Sequence, residues 1–226
     1  GSVFLSRNEK KDDFFKRCLE AHGCRVFPQS LIEVKAIPFK KTTAADWIFF
    51  SSKNAVKYFF ENPAHNLTKD VGGNFPKIAA VGRATADEIR KFGKRAEFIG
   101  SSEDTRMTGK KFSALVGNKT VLFPQAKESM KTIQLQMGGA RVIDLVVYET
   151  IKNEELRIKN EEFDILVFTS PSNVETYFGK NRINPVQKIV AMGDATANAL
   201  RKFGARANKM PASFDDLGLV HAVMSL

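Results

Sequence analysis

Clusters of hydroxyl, amide, glycine and basic residues follow six of the short apolar runs in this sequence. If those runs are parallel strands, their carboxyl ends place the clusters where ligands bind in open α/β sheets. Each cluster also opens a predicted helix, and helix N-termini suit carboxylate or phosphate because their N–H groups are unpaired and partly positive. The clusters are Ser6, Arg7 and Asn8; Ser51, Ser52, Lys53 and Asn54; Gly82, Arg83, Ala84 and Thr85; Pro124, Gln125, Ala126 and Lys127; Thr169, Ser170, Pro171, Ser172 and Asn173; and Gly193, Asp194, Ala195 and Thr196.

Each cluster also has a plain structural explanation. Ser, Thr and Asn are ordinary N-cap residues, and Gly82 and Gly193 are suited to tight turns. No single residue therefore identifies a ligand site. Six such clusters on one predicted face are more informative than any one of them.

The sequence contains none of the common nucleotide, metal or nucleophile motifs. It has no G-x-x-x-x-G-K-[ST], G-x-G-x-x-G, H-E-x-x-H or G-x-S-x-G pattern. The three histidines, His22, His65 and His221, show no metal-ligand spacing with the cysteines. If the protein is an enzyme, we expect it to act by positioning the substrate, by hydrogen bonding and by electrostatics.

The charge and the cysteine content of the chain indicate which partners and which cellular compartment to expect. There are 35 Lys and Arg residues against 25 Asp and Glu residues, a net charge of +10, which favours anionic partners. No nucleic-acid motif and no apolar stretch of membrane-spanning length is present, and the N-terminal apolar run is too short for a signal peptide. Cys18 and Cys24 cannot form a disulfide framework, so we expect a cytoplasmic protein with reduced thiols.

The chain contains an internal repeat of about 115 residues. Residues 78–96 and 189–207 are identical at 12 of 19 positions, and the acid, apolar run and hydroxyl pair at 46–52 recur at 164–170. A period of this length indicates two domains or half-domains and not a solenoid.

Each repeat alternates apolar runs with helical patterns, which predicts an α/β fold with parallel sheets. The extended segments 31–38 and 146–151 are interpreted as connectors and not as sheet cores. If both cross between domains, one domain holds 1–34 plus 152–226 and the other 38–147, with linker strands at 35–37 and 148–151. Uncrossed halves would give the same five strands per domain, so both arrangements stay open. The predicted strands are 3–6, 24–28, 47–51, 77–81, 96–99, 120–123, 140–145, 164–169, 188–191 and 206–209.

Several short motifs, in order and along nearly the whole chain, resemble the uroporphyrinogen-III synthase family. Each is weak alone, but their ordered succession is specific. They are FLSR at 4–7, LIEV at 31–34, WIFFSSKNAV at 47–56, AVGRATA at 80–86, VVYET at 146–150, VFTSPS at 167–172 and AMGDATA at 191–197.

The resemblance implies two flavodoxin-like domains joined by a two-stranded linker, with the crossed connectivity. It implies a cytoplasmic, monomeric hydro-lyase that uses no cofactor and no metal. The reaction would cyclise hydroxymethylbilane to uroporphyrinogen III, with inversion of ring D and loss of water. Substrate and product carry eight carboxylates, which suits a basic protein; nucleic acid and membrane are not expected partners.

The family's functional tyrosine matches Tyr148, whose phenol would donate a proton or hydrogen bond to the departing hydroxyl; the alternative is a ring that only packs. Two departures weaken the match: the loop at Gln125 lacks the arginine and glycine of many members, and the threonine pair after the ninth strand is here Ala195 and Thr196. The expected substrate-binding residues are Ser6, Arg7, Ser51, Ser52, Lys53, Asn54, Gly82, Thr85, Gln125, Thr169, Ser170, Pro171, Ser172, Gly193 and Thr196.

A second hypothesis is a two-domain protein that binds a small polyanionic ligand without chemistry. Such a binder would leave hydroxymethylbilane to close spontaneously to the uninverted type-I ring. The isomer of the product therefore distinguishes the two hypotheses.

Overall fold

A computed structural model of the 226-residue chain describes residues 1–153, 162–182 and 184–226. The contacts divide the chain into two units, which we call unit 1 (Gly1–Glu33 with Ile151–Leu226) and unit 2 (Val34–Thr150). No helix among the described residues is long and apolar enough to cross a bilayer.

The described residues form ten strands and seven α-helices, numbered along the chain. The strands are β1 (Ser2–Leu5), β2 (Arg25–Pro28), β3 (Ile32–Ala36), β4 (Trp47–Phe50), β5 (Lys77–Ala80), β6 (Phe98–Ile99), β7 (Thr120–Ala126), β8 (Arg141–Lys152), β9 (Ile165–Phe168) and β10 (Lys188–Ala191). The helices are α1 (Phe14–Ala21), α2 (Lys53–Glu61), α3 (Arg83–Lys91), α4 (Thr105–Val116), α5 (Pro171–Phe178), α6 (Asp194–Lys202) and α7 (Asp216–Met224). Short 3₁₀ turns lie at Pro63–Leu67 and Gln134–Gln136.

Unit 1 contains a four-stranded sheet in the order β10-β9-β1-β2, and its strand pairs are parallel. All four residues of β1 are buried, as expected for a central strand covered on both faces. Phe4 packs on one face in a cluster with Leu200 of α6. Val3 packs on the opposite face with Phe15 of α1 and Leu219 of α7. The alternation of side chains along β1 therefore fixes which helices cover each face.

Unit 2 carries a six-stranded sheet in the order β3-β8-β7-β4-β5-β6. The central strand β4 pairs in parallel with β5 and β7. Phe50 of β4 packs on one face against Phe59 of α2, with ring centroids 5.5 Å apart. Phe49 packs on the other face against Phe112 of α4, with centroids 4.8 Å apart.

The mixed α/β class with parallel sheets is confirmed, but the expected five strands per sheet is wrong. The segments interpreted as connectors belong to the six-stranded sheet: β3 lies within 31–38, and β8 joins 140–145 to 146–151 as one strand. At the other end, predicted strand 206–209 makes only an isolated bridge from Lys209 to Val190. Strand β3 and the predicted strand at 206–209 both concern sheet edges, where pairing depends on distant partners.

The two copies of the internal repeat fold alike over the matched residues. Each is a strand followed by a nine-residue helix, β5 with α3 and β10 with α6. Gly93 (φ 68°) and Gly204 (φ 75°) follow these helices in the left-handed conformation that glycine adopts without strain. Gly117, the C-cap of α4, also has a positive φ (59°).

Candidate functional site

The carboxyl ends of β4, β5 and β7 meet at one edge of the unit 2 sheet because these strands are parallel, and β8 runs beside β7 and continues past that edge. Helix α2 begins just after β4, and Ser52 is its N-cap: its Oγ accepts a hydrogen bond from the Ala55 N–H at 3.0 Å. Ser51, Lys53 and Asn54 surround this cap and are exposed. The predicted cluster therefore stands at a true helix N-terminus, with a cation at the first helical position.

A β-bulge in the middle of β8, level with the end of β7, determines where Tyr148 points. Gln125 pairs with Val146 and Ala126 pairs with Tyr148, so Val147 is an extra residue on β8. In a regular strand, Val147 and Tyr148 would face opposite sides of the sheet. The bulge instead lets both pack in the core cluster that contains Phe50.

The Tyr148 phenol is buried and bonded to the α2 cap. Its side chain is 8% exposed, and its Oη lies 3.1 Å from the Oγ of Ser52. Because either hydroxyl can donate, an arrangement in which Ser52 donates leaves the phenol hydrogen for another acceptor. Burial raises the pKa of Tyr148; the hydrogen bond from Ser52 opposes this rise and the Glu128 carboxylate adds to it. The phenol is therefore a neutral hydrogen-bond donor near pH 7.

Among the remaining predicted residues of unit 2, Gly82 and Thr85 lie at a helix start, whereas Gln125 lies inside a strand. Gly82 is the N-cap of α3, and Thr85 lies buried in its first turn. The backbone of Gly82 is extended (φ −170°), and a Cβ there would lie 3.1 Å from the Oγ of Ser102, so close packing explains this glycine. Gln125 does not open a helix as predicted: it lies inside β7, buried, and its Oε1 accepts from Nε2 of Gln134 at 2.7 Å.

In unit 1, Ser6 and Thr169 bond to each other across β1 and β9. The Thr169 N–H donates to the Oγ of Ser6 at 2.9 Å, and the Thr169 hydroxyl donates to the Ser6 carbonyl at 3.0 Å. Ser6 also does not open a helix, since α1 begins at Phe14 after the cap Asp13. The structure thus gives these two hydroxyls a role in joining neighbouring strand ends.

Ser170 is the N-cap of α5, and its hydroxyl bonds the buried side-chain amide of Asn173. Its Oγ accepts from the Asn173 N–H at 3.3 Å and from Nδ2 of Asn173 at 2.9 Å. The Oδ1 of Asn173 in turn accepts from the Leu31 N–H at 2.8 Å. Pro171 and Ser172 occupy the first turn of α5, so their positions follow from the same cap.

Gly193 and Thr196 stand at the start of α6, as Gly82 and Thr85 stand at the start of α3. Gly193 is the N-cap with φ 92°, a conformation in which a side chain would be strained. Thr196 is buried, and its hydroxyl donates to the Met192 carbonyl at 3.3 Å. Backbone N–H groups at these two helix starts, more than the side chains, are suited to contact an anion.

Arg7 is held by two carboxylates and does not open a helix. Its guanidinium bonds Asp13 through both terminal nitrogens, at 2.8 and 2.9 Å, and reaches Asp216 of α7 at 3.2 Å. These bonds tie the loop after β1 to the starts of α1 and α7. Arg7 therefore has a structural role that the sequence alone does not reveal, because its partners lie 6 and 209 residues away.

Asp13 gives unit 1 a stabilising interaction that depends on pH. Burial raises the pKa of its carboxyl, but hydrogen bonds from the N–H groups of Lys10 and Lys16 and from Arg7 outweigh burial and lower it below the usual value. A carboxyl with a lowered folded-state pKa stabilises the fold fully above its unfolded pKa of about 3.9. That stability is lost as the pH falls from there through the folded-state pKa.

We expect Asp13→Asn to lower the free energy of unfolding at pH 7 and to flatten its decrease between about pH 5 and pH 2. Urea unfolding followed by circular dichroism at each pH measures this. Asp12→Asn is the matched control, since Asp12 is exposed and should leave the wild-type curve unchanged. Parallel curves for wild type and Asp13→Asn would contradict the assignment.

A cavity of about 670 Å³ in unit 1 lies beside α6 and the segment that follows it. Its lining comes from Ala197 and Arg201 of α6 and from residues 204–210, which include the basic residues Arg206 and Lys209. Gly193, at the start of α6, is not among its lining residues. We therefore do not include this cavity in the candidate site, which is defined by the strand ends and helix starts.

The chain is similar to a known protein family over most of its length. The family model described as uroporphyrinogen-III synthase HemD matches residues 13–221. The chain is also similar to the uroporphyrinogen-III synthase of Chlorobaculum parvum, with 25% identity over 98% of this chain and 97% of the relative.

Two solved structures share the fold. A mutant uroporphyrinogen III synthase from Thermus thermophilus aligns with a TM-score of 0.72 at 17% identity, covering 100% of this chain and 99% of that one. The uroporphyrinogen-III synthetase of Helicobacter pylori aligns with a TM-score of 0.67 at 18% identity, covering 99% of this chain and 98% of that one.

Proposed function

The chain belongs to the uroporphyrinogen-III synthase family, and from this premise we propose that it cyclises hydroxymethylbilane to uroporphyrinogen III. Ring D is inverted and water is lost, which makes the enzyme a hydro-lyase of heme biosynthesis. The observation that carries the proposal is the buried Tyr148 phenol, bonded to the cap of α2 at the carboxyl ends of the unit 2 strands.

Tyr148 is proposed as the donor to the departing hydroxyl of the terminal hydroxymethyl group. The C–O bond breaks as the pyrrole supplies the electron pair, the hydroxyl takes up a proton and leaves as water, and the pyrrole N–H loses a proton to give the neutral azafulvene. The substituted carbon of the last pyrrole attacks the azafulvene carbon to give a spiro intermediate. That intermediate fragments, the free α-carbon of the last pyrrole closes the macrocycle in the inverted sense, and this carbon loses its proton to restore the pyrrole. Because burial raises the pKa of Tyr148, the phenol keeps its hydrogen at neutral pH and would act by donating a hydrogen bond to the leaving oxygen.

Helix starts are proposed to hold the substrate carboxylates. Helices α2, α3, α5 and α6 each begin just after a parallel strand, and their first N–H groups are natural partners for carboxylate oxygens. The exposed Lys53 adds a positive charge at the start of α2. The proposed contacts are Ser51, Ser52, Lys53, Asn54, Gly82 and Thr85 in unit 2, and Thr169, Ser170, Pro171, Ser172, Gly193 and Thr196 in unit 1. Ser6, Arg7 and Gln125 stay predictions whose hydrogen bonds favour structural roles.

Further features of the proposal rest on the family and not on the geometry. We propose a monomer that acts in the cytoplasm without metal or organic cofactor. We also propose that its two units arose by duplication of one ancestral unit, which the 12 identities between 78–96 and 189–207 support.

The experiment that tests the function is chromatographic separation of the product isomers. Purified chain is mixed with hydroxymethylbilane, and the uroporphyrinogens formed are oxidised to porphyrins and resolved. The type-III isomer is expected to predominate. The type-I isomer at the level seen without protein would favour the alternative, a binder without chemistry.

Ser52→Ala is expected to lower kcat by less than Tyr148→Phe does, by about tenfold or less, because the phenol and the backbone N–H groups at the start of α2 remain. It should also lower the free energy of unfolding by about 0.5–2 kcal/mol through loss of the helix cap. Steady-state kinetics and urea unfolding of the same preparation separate the two effects.

The matched control is Asp104→Ala, which removes the N-cap acceptor of α4 in the same unit. It should cost comparable stability and leave kcat at the wild-type value. Equal losses of kcat in Ser52→Ala and Asp104→Ala would show that the Ser52 effect comes from helix capping alone.

A further inference from the structure

Tyr58 lies on α2 and packs on the ring of Tyr148. The two ring centroids are 5.7 Å apart with 30° between the ring planes, within the range that aromatic pairs prefer. Tyr58 is half-buried against the same core cluster that contains Tyr148. One residue of α2 thus contacts the aromatic body of Tyr148, while its N-cap residue, Ser52, bonds the Tyr148 hydroxyl.

The hydroxyl of Tyr58 is committed elsewhere. It donates to the carbonyl oxygen of Val34 on β3 at 3.1 Å. It is therefore not placed as a second proton donor, and its ring is held at both ends, by the helix backbone and by this bond. A ring fixed in this way restricts the rotamers open to its neighbour.

We propose that Tyr58 is a positioning residue that fixes the ring of Tyr148 so that its hydroxyl stays on Ser52 and presents its hydrogen to the substrate. This inference rests on the proposed function of Tyr148. Ser52 sets the position of the phenol oxygen, and Tyr58 sets the plane of the ring. Both belong to α2 and its cap, so one helix controls the orientation of the donor.

The first arm of the test is kinetic. Tyr58→Leu removes the ring and should lower kcat on the order of tenfold, because small misplacements of a catalytic group are costly, with KM changed much less. Tyr58→Phe keeps the ring and should retain wild-type kcat. In a Tyr148→Phe background, Tyr58→Leu should cause no further loss of kcat, since the group it positions is already gone.

The second arm is spectroscopic and does not depend on activity. The chain contains 3 tyrosines, so labelling tyrosine at Cζ with ¹³C gives resolvable signals that can be followed against pH. Tyr58→Leu should let water reach the phenol of Tyr148, so that its signal shifts and titrates at lower pH. Tyr58→Phe should leave that signal as in wild type. Glu128 and Ser52, which also face the phenol, are unchanged in both variants.

The outcomes separate the two claims. A Tyr148 signal that does not move in Tyr58→Leu would overturn the positioning by Tyr58, and so would an unchanged kcat in that variant. Full activity of Tyr148→Phe would instead overturn the donor role on which the inference rests. Loss of kcat in Tyr58→Phe equal to that in Tyr58→Leu would assign the effect to the Val34 bond and contradict a role for the ring.

Discussion

Replacing Tyr148 with Phe is expected to lower kcat by about ten- to a thousandfold, the contribution of one general acid or oriented hydrogen bond. The substitution keeps the ring that packs against Tyr58 and the core of unit 2, so the fold should be retained. Only the hydroxyl 3.1 Å from Ser52 is removed. Steady-state kinetics with hydroxymethylbilane, with the product isomers resolved at each time point, measure the effect.

Tyr177→Phe is the matched control for this prediction. Tyr177 is a buried tyrosine of unit 1, 1% exposed, that packs against Phe4 and Phe168. We expect its substitution to leave kcat unchanged and to affect Tm alone. A fully active Tyr148→Phe, together with a dead but stably folded hydroxyl-to-Ala variant such as Thr196→Ala, would show that the proton donor has been assigned to the wrong residue.

Adding one methyl group at Gly218 is expected to destabilise unit 1 strongly. A Cβ at this position would overlap the carbonyl oxygen of Ser213 and lie 2.5 Å from its Oγ, and backbone atoms cannot turn away as a flexible side chain can. Gly218→Ala should therefore cost about 3 kcal/mol, the upper end for overpacking. That corresponds to a Tm lower by about 6–12 °C in a chain of this size. Calorimetry of the purified variant measures it.

Gly138→Ala makes the same chemical change where the structure has room. No heavy atom lies within 4 Å of a Cβ built at Gly138, and its backbone is not in the left-handed region. Its free energy of unfolding should stay within about 0.5 kcal/mol of the wild-type value, so its Tm should change little. If the two variants melted at the same temperature, the close approach of Ser213 to α7 would be refuted.

The central strands and helix starts could be predicted from the sequence because their signals are local. The apolar run ending at Phe50 and the cap at Ser52 lie next to each other, and the structure places them as a strand followed by a helix. The same holds for Phe168 and Ser170. Hydrophobic runs and capping residues act over a few positions, so they carry this information without knowledge of the fold.

The sheet edges could not be predicted, because strand pairing is a long-range property. The local sequence at 31–38 fits an extended connector as well as it fits a strand. In the structure Ile32–Ala36 becomes a strand beside β8. At 206–209 the opposite occurs, and one bridge from Lys209 replaces the expected strand. Partner availability decides such segments more than their own composition does.

The orientation of Tyr148 and the partners of Arg7 were also beyond the sequence. Val147 is an extra residue only in its pairing with β7, and that pairing cannot be seen in the sequence of β8. Regular alternation along β8 would therefore place Tyr148 on the wrong face of the sheet. Arg7 was predicted as a ligand contact because it follows a strand. Its bonds to Asp13 and Asp216 appear only once α1 and α7 are folded beside it.

The central claim is that this chain catalyses formation of the inverted ring, and the most direct measurement is the isomer yield with substrate in large excess. Chain and hydroxymethylbilane are mixed at about one to a hundred, and the porphyrins are resolved after complete conversion. Turnover predicts that nearly all product is the type-III isomer, formed faster than the spontaneous reaction. The account would be contradicted if only about one substrate molecule per chain became type-III isomer and the rest became type-I isomer. Such a protein would bind the bilane without catalysing the reaction.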